Sequence, residues 1–160
     1  MQAAVSTPEV PRPCACTTVR KASRTLARAY DEALHGCPLN VTQLALLRAI
    51  ERRPGEPLNR VAEELSMDRS SVYRAIGTMA RQGWVQGVEG KDARSRSAQI
   101  TADGQGVLRD AAPLWEGVQR AVVERFGRDR WGALVSELQE LQRTVQSLGD
   151  EGRGLRKERS

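Results

Sequence analysis

The chain has 160 residues, enough for one domain-sized unit with a substantial core. Lysine and arginine total 25 against 20 aspartates and glutamates, a net charge of +5 carried mostly by arginine, which suits nucleic acid without proving it. With one Phe, two Tyr and three Trp, an RNA-type stacking platform is disfavoured, and no stretch has the apolar length of a bilayer span.

Met1 to Pro13 carries three prolines and no periodicity, so a flexible arm is expected over residues 1–15. It has no basic region followed by an apolar run, which argues against a secretory signal. The three cysteines therefore read as free thiols of a reducing cytoplasm. From Thr17 to Leu34 the pattern turns helical: Val19, Ala22, Ser23, Leu26, Ala29, Tyr30 and Ala33 form one stripe, with Arg20, Lys21, Arg24 and Arg28 largely off it. Gly36 closes this helix. Thr42 is a candidate cap for a second one, with Leu44, Leu47 and Ile50 inward and Pro54-Gly55 at its end.

Leu58 to Leu65 places Leu58, Val61, Ala62 and Leu65 on one helical face. Ser66 and Met67 make a turn, and Asp68 is a good N-cap for a helix over Arg69–Gln82 that buries Val72, Ile76 and Met79. Arg69, Ser70, Ser71, Tyr73 and Arg74 remain on the other face, with no carboxylate among them. Arginine forks, small hydroxyls and a Tyr ring are the groups that reach phosphates and base edges in a major groove. Gly83 is placed as a left-handed C-cap. Trp84-Val85 then opens one strand and Ser97 to Thr101 forms another, alternating Ala98 and Ile100 with polar neighbours. The charged hairpin between them, Glu89 to Arg96, offers Lys91, Arg94 and Arg96 to a minor groove, with Asp92 set to hold Arg94. A helical hairpin with a solvated basic face is the plain alternative for Leu58–Gln82.

Thr101 is a plausible cap for a long helix from Ala102 to Phe126, with Val107, Leu108, Ala111, Leu114, Trp115, Val118, Val122 and Phe126 on one face and a bend expected at Pro113. After Gly127 a last helix spans Asp129 to Leu148, with Trp131, Leu134, Val135, Leu138, Leu141 and Val145 near heptad spacing. A disordered tail is expected over 149–160. The fold class is mainly α: a winged helix-turn-helix with a small β-hairpin wing, between long helices whose stripes call for a second chain.

The runs A-E-E-L-S-M-D-R-S-S-V-Y-R, G-W-V and D-A-R-S-R-S-A-Q-I-T-A-D-G, with L-N-V-T-Q-L-A-L-L-R-A-I upstream, resemble the MarR family of bacterial regulators from about Cys16 to Leu148. The resemblance implies a single MarR-like domain over 16–148. Its winged helix-turn-helix would occupy about 40–101, and dimerisation helices about 16–35 and 102–148. It also implies a cytoplasmic homodimer on double-stranded DNA, a repressor more often than an activator, with no cofactor. A winged-helix protein-interaction module and a non-specific architectural DNA binder are the alternatives.

For an effector, two sites are open. The family binds small, often aromatic anions between the dimer helices and the winged lobe, which points to Tyr30, Leu34, Leu47 and Trp115, unless these are plain core. Cys16 falls near the start of the first helix, where backbone amides, Arg20 and Lys21 favour a thiolate. It stands fourteen residues before Tyr30, as the reactive cysteine and following tyrosine do in the family's organic-hydroperoxide-sensing branch. The flanking aromatics of that branch are absent here, and no cysteine follows Cys37, so a disulfide would use Cys14, Cys37, a partner chain or a small thiol. Incidental thiols are the alternative. Catalysis has little to work with: His35 is the single histidine, and His35 with Cys37 lacks companions for zinc.

Overall fold

The computed structural model describes residues 13–89 and 96–157. In chain order these form α1 (Ala15–Ala33), α2 (Val41–Arg52), α3 (Leu58–Glu64), α4 (Arg69–Arg81), β1 (Val85–Glu89), β2 (Arg96–Ile100), α5 (Ala102–Phe126) and α6 (Arg128–Lys157). The molecule is a mainly helical winged helix-turn-helix with a two-stranded wing.

Local chemistry sets most of the boundaries. α2 starts at a capping box in which Asn40 accepts the Gln43 N–H and Gln43 accepts the Asn40 N–H, both at 2.9 Å. The cap is thus Asn40, not Thr42, because only Asn40 has a Gln three residues on to reciprocate. α3 gives way at Ser66, which takes a left-handed φ of 51°, and Asp68 caps α4 by accepting the Ser71 N–H at 2.9 Å. α4 ends in a Schellman turn: Gly83, at φ 78°, donates to the Ala80 carbonyl, and Trp84 donates to the Met79 carbonyl, each at 3.0 Å.

The core lies inside the first of two compact units, which ends at Trp115; the second begins at Glu116. Leu44, Leu46, Leu47, Ala49 and Ile50 of α2 are fully buried among Leu58, Val61 and Ala62 of α3 and Val72, Ile76 and Met79 of α4. Each such leucine contributes roughly 1.5–3 kcal/mol by leaving water. The break between the units falls within α5. α5 has its buried residues, Gly104, Leu108 and Ala111, only in its first half.

β1 and β2 pair antiparallel from Val85↔Ile100 to Glu89↔Arg96. A lone bridge from Ser97 to Pro57 ties the entry of α3 to the wing. That bridge breaks the expected alternation: Ser97 and Ala98 are both buried, and Ile100 is half-buried. α6 runs to Lys157 rather than Leu148, so the expected tail is helical as far as Lys157. Extending an existing helix costs far less than starting one, which carries it across Gly152 and Gly154.

Candidate nucleic-acid interface

The first turn of α4 is built around Asp68. Its carboxylate accepts the Ser70 hydroxyl at 2.6 Å and the Ser71 N–H at 2.9 Å. The Ser70 hydroxyl above all, then the Ser71 hydroxyl and backbone N–H, hold this carboxyl well below the usual carboxylate range. A depressed folded value means the stabilisation is present above the ordinary pKa and lost only as pH falls through the lowered one. The cap therefore survives throughout the neutral range.

Arg69, Ser70 and Arg74 are exposed. Among the described residues, Arg69 and Arg74 hold no ion pair, whereas Arg52 and Arg53 meet Glu64, Arg60 meets Glu63, Arg128 meets Glu124 and Arg143 meets Glu140. The guanidiniums at the front of α4 are thus left for an outside partner. Ser71 is half-buried, with its N–H spent on the cap. Tyr73 differs more from expectation. Its ring packs against the core beside the Val72–Ile76 stripe, and its hydroxyl is 3.5 Å from Asn59 Oδ1, so only an edge of it is available. Arg96 is exposed at the foot of β2, opposite Glu89. Lys91, Asp92 and Arg94 lie outside the described residues.

Beside these candidates lies a group the sequence reading did not name. Thr78, with Ser71 and Arg74, lines a cleft of about 410 Å³ against Asn40, Thr42 and Gln43 at the start of α2. Thr78 stands four residues after Arg74 and accepts from Arg81 at 3.1 Å, so helical spacing alone could have found it. The α2 contribution has no such signal, since it arises from packing between segments far apart in sequence.

The effector candidates separate. Leu34 and Leu47 are fully buried and Tyr30 nearly so, in the core of the lobe. Burial raises the Tyr30 pKa. Trp115 lines an open cleft of about 220 Å³, with Leu44, Arg48, Arg52 and Leu65 among its neighbours. The Arg48 guanidinium lies 4.0 Å over the Trp115 ring, and the Tyr30 ring is 6.4 Å away, tilted by 48°. At the start of α1 the N-cap is Cys14, with Cys16 inside the first turn; both are exposed. The Thr17 backbone N–H, and then its hydroxyl, lower the Cys14 pKa. Cys37 is half-buried against the core, and His35 is exposed. No group of three metal-ligating side chains occurs among the described residues.

The model of the IclR helix-turn-helix domain matches residues 43–89, the span from α2 to β1. No curated protein sequence matches the chain. Among solved structures, the transcriptional regulator MosR of M. tuberculosis, crystallised in complex with DNA, is 33% identical with a TM-score of 0.75; the match covers 84% of this chain and 97% of that one. The chain belongs to the MarR family. MarR itself from E. coli shares the fold at 16% identity, covering 81% of this chain and 98% of that one with a TM-score of 0.64. MepR of S. aureus, solved as a DNA complex, does so at 12%, covering 82% and 96% with a TM-score of 0.70. These MarR-family relatives are transcription regulators rather than enzymes. No helix among the described residues is long and apolar enough to cross a membrane.

Proposed function

We propose that this MarR-family chain is a cytoplasmic homodimeric repressor that binds a near-palindromic operator and is released by a small ligand or by cysteine oxidation. The observation that carries DNA reading is the front of α4: exposed Arg69 and Arg74 that hold no ion pair among the described residues. MosR, the 33% identical relative, has been solved on DNA, which supports the same use here. Each subunit lays α4 in a major groove and the wing residues Lys91, Arg94 and Arg96 in the adjoining minor groove. The second chain is supported by Val19, Leu26, Leu114, Leu134, Leu138, Leu141, Val145 and Leu148, large apolar side chains that one chain leaves exposed. A ligand would enter beside Trp115, where Arg48 favours an anion with a flat apolar body.

The test is selection of an operator from randomised duplexes. Two half-sites about 10 base pairs apart are expected. Arg69→Ala and Arg74→Ala should each cost about 1–3 kcal/mol and relax preference at one position, or lower the salt slope by about 1 where the contact is to phosphate. Arg94→Ala should blunt an A/T preference flanking the half-sites. Three variants that bind the selected operator like the parent would overturn the assignment of helix and wing.

A further inference from the structure

One hydroxyl joins the end of the reading helix to the start of α5. Thr101 Oγ1 donates to the Gly83 carbonyl at 2.6 Å, and the same oxygen accepts the Gly104 N–H at 3.1 Å. The first bond fastens it to the left-handed residue that terminates α4; the second caps α5. Beside them the Thr101 N–H donates to the Trp84 carbonyl at 3.0 Å, while the Trp84 N–H is held by Met79 in the last turn of α4. A Cβ on Gly104 would run into that same Trp84 carbonyl, so the two backbones touch. The wing leaves and returns between them: Val85 pairs with Ile100, which is why Trp84 and Thr101 meet at all.

We infer that Thr101 is a positioning residue that sets which half-site separation the protein accepts. Its hydroxyl locks the end of α4 to the start of α5 at one angle, and that first half of α5 reaches Leu114, one of the exposed apolar side chains assigned above to the second subunit. The inference rests on the two-half-site reading proposed above. Inserting one base pair between half-sites turns the second by about 34° and moves it by about 3.4 Å. A stiff joint cannot follow that change, and a loosened one can. The backbone bond from Thr101 to Trp84 survives any side-chain change, so removing the hydroxyl slackens the joint without cutting it.

The experiment compares operators with the selected spacing and with one base pair added, for the full-length protein and three variants. The parent should prefer the selected spacing by about tenfold or more, the size of one or two lost base contacts. Thr101→Val removes both side-chain bonds. Thr101→Asp keeps an acceptor for the Gly104 N–H, and so the α5 cap, but has no proton for the Gly83 carbonyl. Both should lose discrimination, the ratio falling towards equality, while a duplex carrying one half-site is bound as before. Thr101→Ser, which keeps the hydroxyl, should discriminate like the parent. Because each ratio is taken within one protein, the added charge of the Asp variant cancels. A folded Asp variant as strict as the parent overturns the joint and leaves the dimer reading standing. A parent indifferent to spacing, or bound as a single chain, overturns the two-half-site reading and the role of Thr101 with it.

Discussion

Gly104 has no room for a side chain. A Cβ there would collide with the Trp84 carbonyl oxygen and come within 2.8 Å of Ile100 Cγ1, and neither the turn nor the strand end can retreat. Gly106, two residues on in the same helix, has only the far end of Arg109 at 3.7 Å. The two positions should therefore respond with opposite sign to the same change. Gly104→Ala should cost about 3 kcal/mol or more through overpacking against backbone. Gly106→Ala should gain up to about 1 kcal/mol from helix propensity. Urea denaturation of the three proteins, read by the midpoint at constant slope, checks both. An Ala at 104 as stable as the parent would mean that the close approach of α5 to Trp84 is not present in solution.

At the scale of elements, α6 shows what a single chain leaves undone. Leu134, Leu138, Leu141, Val145 and Leu148 recur at alternating steps of four and three, the spacing of a seam between helices, and Val145 and Leu148 are 57% and 61% exposed. Sedimentation at micromolar concentration should show two chains, and Leu141→Asp should shift the protein to one. The variant should keep its folded lobe but lose about 100-fold or more in operator affinity, because two linked half-sites no longer bind as a unit. A parent that sediments as a single chain would remove the dimer. This stripe was legible in the sequence, as were α3, α4 and the bounds of α5, because each repeats its apolar positions over several turns or carries Asp68, Gly83 or Thr101 at an end. What escaped was decided by pairwise geometry. Two residues near α2 could cap it, and only the reciprocal bond from Gln43 selects Asn40. Tyr73 sits at the edge of the buried stripe, where spacing does not say which way a ring turns. The cleft beside Trp115 joins α2 to α5, and no local pattern marks such a meeting.

For the whole molecule, the proposed dimer raises the question of how a signal would reach two reading heads whose separation the DNA fixes. The cysteines are placed for it. Cys14 stands at the N-cap position of α1 and Cys16 lies in its first turn, both exposed, on a helix whose Val19 and Leu26 are among the apolar groups assigned above to the proposed partner chain. The Thr17 N–H favours the Cys14 thiolate, and thiolates are the species peroxides attack. Attack by a hydroperoxide transfers one oxygen to sulfur, giving a sulfenate and releasing the alcohol; a second thiol then condenses with it to a disulfide and water. Either product changes the size and charge of the first turn of α1, and in the proposed dimer a small shift there would move one reading head relative to the other. Hydroperoxide should therefore weaken operator binding, and dithiothreitol should restore it. The double variant Cys14→Ser/Cys16→Ser should lose the response, whereas Cys37→Ser, whose thiol is half-buried against the core, should keep it. Gel-shift titrations with and without oxidant, paired with mass spectrometry of the same samples, decide the matter. Full affinity in protein whose Cys14 or Cys16 is shown to be oxidised would end the redox route and leave the cleft at Arg48 and Trp115 as the place where an effector acts.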